Sequence, residues 1–463
     1  METSQSFESK LKTIAQKIQD HYHIKREIAI RVVMSMILAG LGANDDCHPL
    51  EAEVLSDEVD SYSSNISIII DKIRDFLQAK RMPQVTKDFI LSELGNAFTN
   101  KISGETKNET DGFKEIYCDV LQEIVPIAKK QNELLFDLSE ILFAYTEMND
   151  DTKNDIVLTP RYVADMMTEL CLVNKNSHVL DITAGTGIFL LSSMRRMLDD
   201  IRSFGNERII IEDIDYLRKS RLFGIEKDRE MYLLALFNFI LADINTENLF
   251  HGDALQILDA NAMFDYYPFT ALLLNQPYPA EENGFVFAEK AMSKMKSGRA
   301  AILVQTSAGT GSGLPYTSYI LENNTLVACI LMADIFKGQA VGSTSLYVFD
   351  VGIPHDVDRK VVFIDMTVDG DTRSTNRKTS SALKYKDPDN AYSHYQEAVD
   401  IVLGRKVKTG YYSEGREVFY DKITLNGNDW DVNLHRKSNI VPTIDDFQQI
   451  VKEYMQWSTE QMI

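Results

Sequence analysis

The spacing of apolar residues changes once along the chain, near residue 150. Before that point apolar side chains recur every three or four positions, as in EVLSDEVDSYSSNISIIIDKIRDFL and QNELLFDLSEILFAYTEM. This spacing places them on one face of a helix, and strand-like runs and glycine turns are scarce. Residues 1–149 are therefore predicted to form an all-helical N-terminal domain.

Short apolar runs alternate with helical stretches after residue 150. The runs SHVLDI, RIIIEDI, ALLLNQ, AAILVQ and LVACILM have the length of buried strands, and stretches such as DREMYLLALFNFILA between them have the length of helices. This alternation predicts an α/β catalytic domain over residues 150–368, with a parallel sheet covered on both faces. Two further runs, SLYVFDVGI and KVVFIDM, are predicted to form a hairpin at the sheet edge.

Residues 369–463 have a weaker pattern. They contain a polar, locally basic stretch, a predicted helix in NAYSHYQEAVDIVLG, a short strand in VFYDKITL and a final helix in TIDDFQQIVKEYMQW. We expect a small, mostly helical C-terminal extension that serves subunit docking.

Composition limits the class of protein. Hydrophobic residues at 44% and charged residues at 25% are ordinary values for a globular protein, and 463 residues suggest about three domains. The net charge of −21 argues against a chain that grips nucleic acid by itself, because phosphate binding leaves a basic footprint. Four dispersed cysteines, with no signal peptide or membrane span in view, predict a cytoplasmic protein with reduced thiols.

Three acidic residues follow successive predicted strands. Asp181 opens the glycine turn DITAGTGIFL, where a ligand can approach the backbone. Glu226 can accept hydrogen bonds from both hydroxyls of a ribose, and Asp253 can reach an adenine amino group. The 45 residues between Asp181 and Glu226 exceed the roughly 20 of a dinucleotide fingerprint, which disfavours NAD. Any one acid can simply cap a turn, but three in order predict one cofactor pocket. The turn residues assigned to that pocket are Thr183, Ala184, Gly185 and Gly187.

A polar tetrapeptide, Asn275-Gln276-Pro277-Tyr278, ends the fourth predicted strand. The amino group of adenine is a poor nucleophile because its lone pair is delocalised into the ring. An enzyme that methylates it must accept both amino hydrogens, and the Asn275 side-chain carbonyl and the Gln276 main-chain carbonyl are suitable acceptors. Pro277 would stiffen the turn, and Tyr278 would stack on a base taken out of the duplex. A polar turn without chemistry is the alternative.

Together these residues resemble the γ-class DNA adenine-N6 methyltransferases, and most closely the modification subunits of type I restriction-modification systems. The stretch Thr159-Pro160-Arg161 is similar to the segment that closes over S-adenosylmethionine in that family, and it precedes the turn and the tetrapeptide in the family's order. The resemblance implies a Rossmann-like S-adenosylmethionine-dependent core, with Thr159 and Pro160 added to the cofactor pocket. Gln276 departs from the family, which has proline there.

The resemblance also implies partners. DNA would be bound mainly through a complex with a separate specificity subunit and two copies of this chain, and a restriction subunit is left open. Two other functions stay open as well, namely a catalytically weak scaffold, which Gln276 favours, and a methyltransferase acting on RNA or protein. A second glycine stretch, residues 307–313, lacks the ending of a Walker loop and is predicted to be a mobile loop near the target base. The histidines lack metal-site spacing, so no metal is expected.

Overall fold

The computed structural model describes most of the chain. The described residues are 2–43, 47–58, 62–99, 112–130, 159–203, 207–277, 284–336, 342–370 and 388–436, together with residues 448, 451, 452, 454 and 455. No helix within these ranges is long and apolar enough to span a lipid bilayer.

The N-terminal part is built from helices. Within the described residues these are α1 (Glu2–Tyr22), α2 (Arg26–Leu41), α3 (Tyr62–Ala79), α4 (Gln84–Thr99), α5 (Phe113–Glu123) and α6 (Val125–Lys130). Helix α2 packs against the other five, because apolar residues such as Val32, Val33 and Ile37 occupy several of its faces and are fully buried. The predicted helical character is confirmed for the described residues up to residue 130, and the bounds of the domain stay a prediction. The predicted helix in QNELLFDLSEILFAYTEM lies outside the described residues.

One mixed sheet organises the rest of the described chain. Its strands are β1 (Val179–Asp181), β2 (Leu222–Glu226), β3 (Leu249–His251), β4 (Ala271–Asn275), β5 (Gly298–Gln305), β6 (Asn324–Met332), β7 (Thr344–Val351), β8 (Lys360–Met366) and β9 (Val418–Lys422). The strand order is β3-β2-β1-β4-β5-β7-β6-β8-β9. Strands β1 to β5 are parallel, so their carboxyl ends meet at one edge of the sheet. In such sheets, ligands bind beyond that edge.

Helices cover both faces of this sheet, as predicted. They are α7 (Arg161–Leu170), α8 (Ile188–Ser203), α9 (Glu207–Ser220), α10 (Arg229–Leu241), α11 (Ala254–Ala260), α12 (Met263–Tyr266), α13 (Phe285–Met292), α14 (Tyr316–Asn323) and α15 (Pro388–Val402). Neighbouring residues of one strand enter different cores. Leu273 joins a core that is continuous with the N-terminal helices, and Leu272 and Leu274 join a second core on the opposite face.

Two strand predictions are wrong. The run RIIIEDI belongs to helix α9, in which Ile214 and Leu217 lie three residues apart and so share one helical face. The last two apolar runs do not form a hairpin. Strand β7 lies between β5 and β6 and is antiparallel to both, whereas β8 pairs with β6 and β9.

The second glycine stretch packs against the C-terminal residues, and its predicted mobility near the target base stays a prediction. A 3-10 helix spans Thr306–Thr310, and the Gly309 carbonyl accepts a hydrogen bond of 3.0 Å from the main-chain N–H of Trp430. A Cβ at Gly313 would lie 2.7 Å from the Phe285 ring. Glycine is therefore used here for close packing. The loop does follow β5 at the carboxyl edge of the sheet, next to the end of β4.

The C-terminal residues complete the sheet. Strand β9 confirms the predicted strand in VFYDKITL and pairs antiparallel with β8. Trp430 is fully buried and contacts the rings of Phe285, Tyr347 and Phe349. The predicted boundary at residue 368 thus falls between two paired strands, while most of the predicted final helix lies outside the described residues.

Candidate active site

A glycine turn joins β1 to α8 at the carboxyl edge of the sheet. Strand β1 ends at Asp181, and the Thr183 N–H donates to Asp181 Oδ1 at 3.0 Å. Gly185 and Gly187 have φ angles of +55° and +84°, which residues with a Cβ rarely adopt. A Cβ at Gly187 would also lie only 3.2 Å from the Phe239 ring. Both glycines are therefore needed for the turn.

Asp181 carries a buried acceptor. Its side chain is fully buried, and Oδ2 has no hydrogen-bond partner in the described part of the chain. Burial raises the pKa of its carboxyl group to about 8, and the nearby Glu226 carboxylate adds to the rise. A buried acceptor without a partner is costly unless a ligand donates to it. The ammonium and hydroxyl groups of S-adenosylmethionine are donors of the kind that this oxygen lacks.

Glu226 links the first two strand ends. It is the last residue of β2, and its Oε2 accepts a hydrogen bond of 2.6 Å from the Gly185 N–H. Its Oε1 accepts one of 2.7 Å from the Asp228 N–H, and burial raises the pKa of this carboxyl group as well. Each oxygen keeps a second lone pair, so the carboxylate can still accept from a pair of hydroxyl groups.

Asp253 lies one strand further along the same edge. It follows β3, whose His251 pairs with Glu226 of β2. Its Oδ1 caps helix α11 by accepting the Leu255 and Gln256 N–H groups, and its Oδ2 is 3.1 Å from Lys227 Nζ. The hydrogen bond with Lys227 is the main cause that lowers the pKa of Asp253. The cap is thus present, and the predicted contact with an adenine amino group stays a prediction.

The candidate catalytic amide lies beside the glycine turn. Strand β4 ends at Asn275, whose main-chain oxygen accepts a hydrogen bond of 3.2 Å from Thr183 Oγ1. The Asn275 side chain donates from Nδ2 to Thr159 Oγ1 at 2.9 Å. Pro160 directly precedes helix α7, so Thr159 is held at the entrance to that helix. The structure therefore brings Asn275 together with the glycine turn and with Thr159, which lie 92 and 116 residues before it in the sequence.

Gln276 is accommodated by a glycine. Its side chain is 2% exposed, and neither amide atom has a hydrogen-bond partner among the residues described. A Cβ at Gly284 would lie 2.9 Å from Gln276 Cβ. Replacement of the family's proline leaves the main-chain carbonyl in place, since only the side chain and the N–H differ. Tyr278 lies outside the described residues, so its stacking role stays a prediction, as does the stiffening by Pro277.

The helical domain borders this edge, which the sequence did not indicate. The Phe89 ring of α4 lies 5.0 Å from that of Tyr232 and 5.4 Å from that of His251. Glu93 of the same helix pairs with Arg229, three residues after Glu226. Helical periodicity reveals which face is apolar but not what covers it, so no local signal would have found this contact.

Neither metal nor thiol chemistry is indicated in the described residues. They contain no group of His, Cys, Asp or Glu arranged to hold a metal ion. All four cysteines are free, and Cys47, Cys171 and Cys329 are buried.

The sheet order, the glycine turn and the acids at the strand ends define the Rossmann-like methyltransferase class of α/β proteins. The sequence model of the N-6 DNA methylase family matches residues 130–441. The chain belongs to that family.

Known relatives agree with this assignment. The chain is 27% identical over 319 residues to the type II restriction enzyme and methyltransferase RM.BcgI of Heyndrickxia coagulans. The match covers 66% of this chain and 47% of that protein, so this chain spans about half the length of the relative.

Solved structures share the fold over almost the whole chain. The type I restriction-modification methyltransferase subunit from Streptococcus thermophilus matches with a TM-score of 0.61 and 16% identity, covering 94% of this chain and 100% of that one. A structure from a study of the complex assembly of a type I restriction-modification system matches with a TM-score of 0.58 and 16% identity. The match covers 98% of this chain and 96% of that one. At this level of identity the likeness establishes the fold.

Proposed function

We propose that this chain transfers a methyl group from S-adenosylmethionine to N6 of adenine in DNA. The observation that carries the proposal is the hydrogen bond between Thr183, in the glycine turn, and the Asn275 main chain, because it joins the candidate cofactor site to the candidate catalytic amide. Membership of the N-6 DNA methylase family supports the same reaction.

The chemistry requires acceptors rather than a covalent intermediate. Asn275 Oδ1 and the Gln276 main-chain oxygen would each accept one hydrogen of the adenine amino group, which makes N6 more tetrahedral and directs its lone pair. The bound cofactor supplies an electrophilic methyl group on a sulfonium. Asn275 Oδ1 and the Gln276 main-chain oxygen would stabilise the positive charge that develops on N6 as it takes up the methyl group, and N6 would then release one proton to water.

The cofactor would be held by the strand-end residues. The cofactor's ammonium group would favour the ionised form of Asp181, so that Oδ2 accepts from it. Glu226 would accept from the ribose hydroxyls, and Asp253 from the adenine amino group. Thr159 and Pro160 would lie against the same ligand. The orphaned acceptor of Asp181 supports this assignment, because it has no partner in the described chain.

Methyl transfer by an Asn275→Ala variant tests the reaction. The variant should lose at least 100-fold in rate, since it lacks an acceptor that acts on the developing charge, while calorimetry should show nearly unchanged cofactor affinity. Asn176→Ala is a matched control, because Asn176 is exposed at the opposite end of β1. S-adenosylmethionine with a labelled methyl group is incubated with DNA, RNA or protein, and the product is digested to find where the label is attached. Full activity of Asn275→Ala, or labelled RNA or protein instead of DNA, would contradict the proposal.

We also propose that sequence specificity comes from a partner, in a complex with two copies of this chain. The net charge of −21 supports this division, because the chain lacks the positive charge with which proteins usually hold DNA phosphates. The structural relatives include a subunit of a type I system. Purification of the native complex through a tag on this chain should recover a more basic partner and sequence-specific DNA binding. Tight, sequence-specific binding by this chain alone would refute the division.

A further inference from the structure

We infer that Asn238 is a positioning residue, which holds the glycine turn between β1 and α8 in the conformation that binds the cofactor. This inference rests on the proposed function, in which that turn and the acids at the strand ends bind S-adenosylmethionine. Asn238 lies in helix α10, and its side chain is only 1% exposed, so it would act through the turn.

The amide of Asn238 is unusual for its position in the helix. Every residue of α10 from Met231 to Leu241 is buried, and nearly all of them are apolar. Asn238 Oδ1 has no hydrogen-bond partner in the described part of the chain. A buried acceptor without a partner destabilises the folded state. Packing alone therefore favours an apolar residue here, and the role of Asn238 must come from the other end of its amide.

The nitrogen end of the amide holds the glycine turn. Asn238 Nδ2 donates to the Thr186 carbonyl oxygen at 2.8 Å, and the bond is buried. A main-chain carbonyl can only accept, so this partner requires the nitrogen end of the amide. The next N–H, that of Gly187, donates to the Ala184 carbonyl at 2.7 Å and closes the turn. The peptide between Thr186 and Gly187 is thus held at both its oxygen and its nitrogen.

Two different elements hold the two halves of the turn. In the first half, the Gly185 N–H donates to Glu226 Oε2 at the end of β2, at 2.6 Å. The second half lies against α10, where a Cβ at Gly187 would be 3.2 Å from the Phe239 ring. Among the described residues, Asn238 provides the side-chain hydrogen bond to this second half. Its loss should leave the turn to be ordered only when the cofactor binds, which weakens binding.

The substitution Asn238→Leu removes the donor and keeps the shape, because leucine has the same branching and the same number of side-chain heavy atoms. Calorimetry on the full chain should show a Kd for S-adenosylmethionine that is weaker by about three- to tenfold, the loss expected for one neutral hydrogen bond. The urea midpoint of the cofactor-free protein should change little, because removal of the unmatched oxygen offsets the lost bond. Asn238→Ala gives the same test without the bulk of leucine.

Hydrogen exchange measures the turn itself, without the cofactor. In Asn238→Leu, peptides covering residues 182–190 should exchange about three- to tenfold faster than in the native chain, and saturation with S-adenosylmethionine should slow the exchange in both. Ile240→Val is the matched control. Ile240 is buried two residues further along α10, about 200° around the helix from Asn238, so its substitution trims the core and leaves the bond to Thr186 intact. It should change neither the Kd nor the exchange of the turn.

Three results would overturn the inference. An unchanged Kd and unchanged exchange in Asn238→Leu would assign Asn238 to packing. An equal loss of affinity in Ile240→Val would assign the effect to general loosening of α10. Faster exchange of the turn at an unchanged Kd would show that the conformation of the turn does not limit binding. Failure of the native chain to bind S-adenosylmethionine would instead refute the proposed function, and is recognised in the same titration before any variant is compared.

Discussion

Replacement of Asp181 by asparagine should stabilise the folded protein at neutral pH, and the gain should grow with pH. The folded carboxyl group has a pKa of about 8, against an ordinary value of 3.8. The folded protein therefore binds this proton more tightly than the unfolded chain does. The stability that this proton contributes to the folded protein is fully present below pH 3.8 and is lost progressively as the pH rises through 8.

The magnitude follows from the separation of the two values. Each pH unit between them is worth about 1.36 kcal/mol, so about 4 kcal/mol is lost between pH 3.8 and pH 7. Asparagine resembles the protonated acid, and its Oδ1 can still accept from the Thr183 N–H. The stability difference between Asp181→Asn and the native chain should therefore increase by about 2.7 kcal/mol from pH 5 to pH 7.

Urea unfolding at pH 5, 6, 7 and 8 measures this difference, and Asp253→Asn is the matched control. Asp253 also lies at a strand end, but its pKa is lowered by Lys227. A group with a lowered pKa contributes stability at pH values above its unfolded pKa. That contribution is lost as the pH falls through the lower folded pKa. Its substitution should therefore destabilise by a constant amount from pH 5 to pH 8. A pH-independent effect of Asp181→Asn would show that Asp181 is ionised in the folded protein, which would refute the reasoning.

Two further substitutions test the surroundings of the site. Gln276→Pro should stabilise the protein by about 1–3 kcal/mol, because it removes two buried amide atoms without partners in the described chain. The only hydrogen bond it loses among the described residues is the 3.5 Å bond from the Gln276 main-chain N–H to the Leu303 carbonyl. A lower midpoint of thermal unfolding would show that the Gln276 amide is satisfied in solution. Glu93→Gln should loosen the helical domain from the sheet, because Arg229 and Arg31 both lose their carboxylate partner. Limited proteolysis should then become faster, and an unchanged rate would mean that apolar contact suffices.

Much of the site could be predicted from the sequence because its residues directly follow short apolar runs. Asp181, Glu226 and Asn275 each end a strand, and parallel strands bring their carboxyl ends to one edge. The run RIIIEDI was wrongly predicted to be a strand, because three consecutive isoleucines have the pattern of a buried strand. Ile214 and Leu217 continue a helical spacing, and the run lies in helix α9.

What could not be predicted is carried by contacts between distant segments. The insertion of β7 between β5 and β6 depends on pairing across the sheet, which has no local pattern. The hydrogen bond from Asn275 to Thr159 joins positions 116 residues apart. The burial of Gln276 against Gly284 likewise depends on close packing that residue types alone do not specify.

The ninth strand has a consequence for how the protein is made. About fifty residues separate the end of β8 from the start of β9, which covers the outer edge of β8. At about 5–20 residues per second, a ribosome needs about 3–10 s to synthesise that interval. During this time a nascent β8 would present unpaired backbone groups, which is the feature through which strands recruit other chains. Production of the protein should therefore depend on chaperones that shield nascent strands, and slow translation of residues 367–417 should increase aggregation.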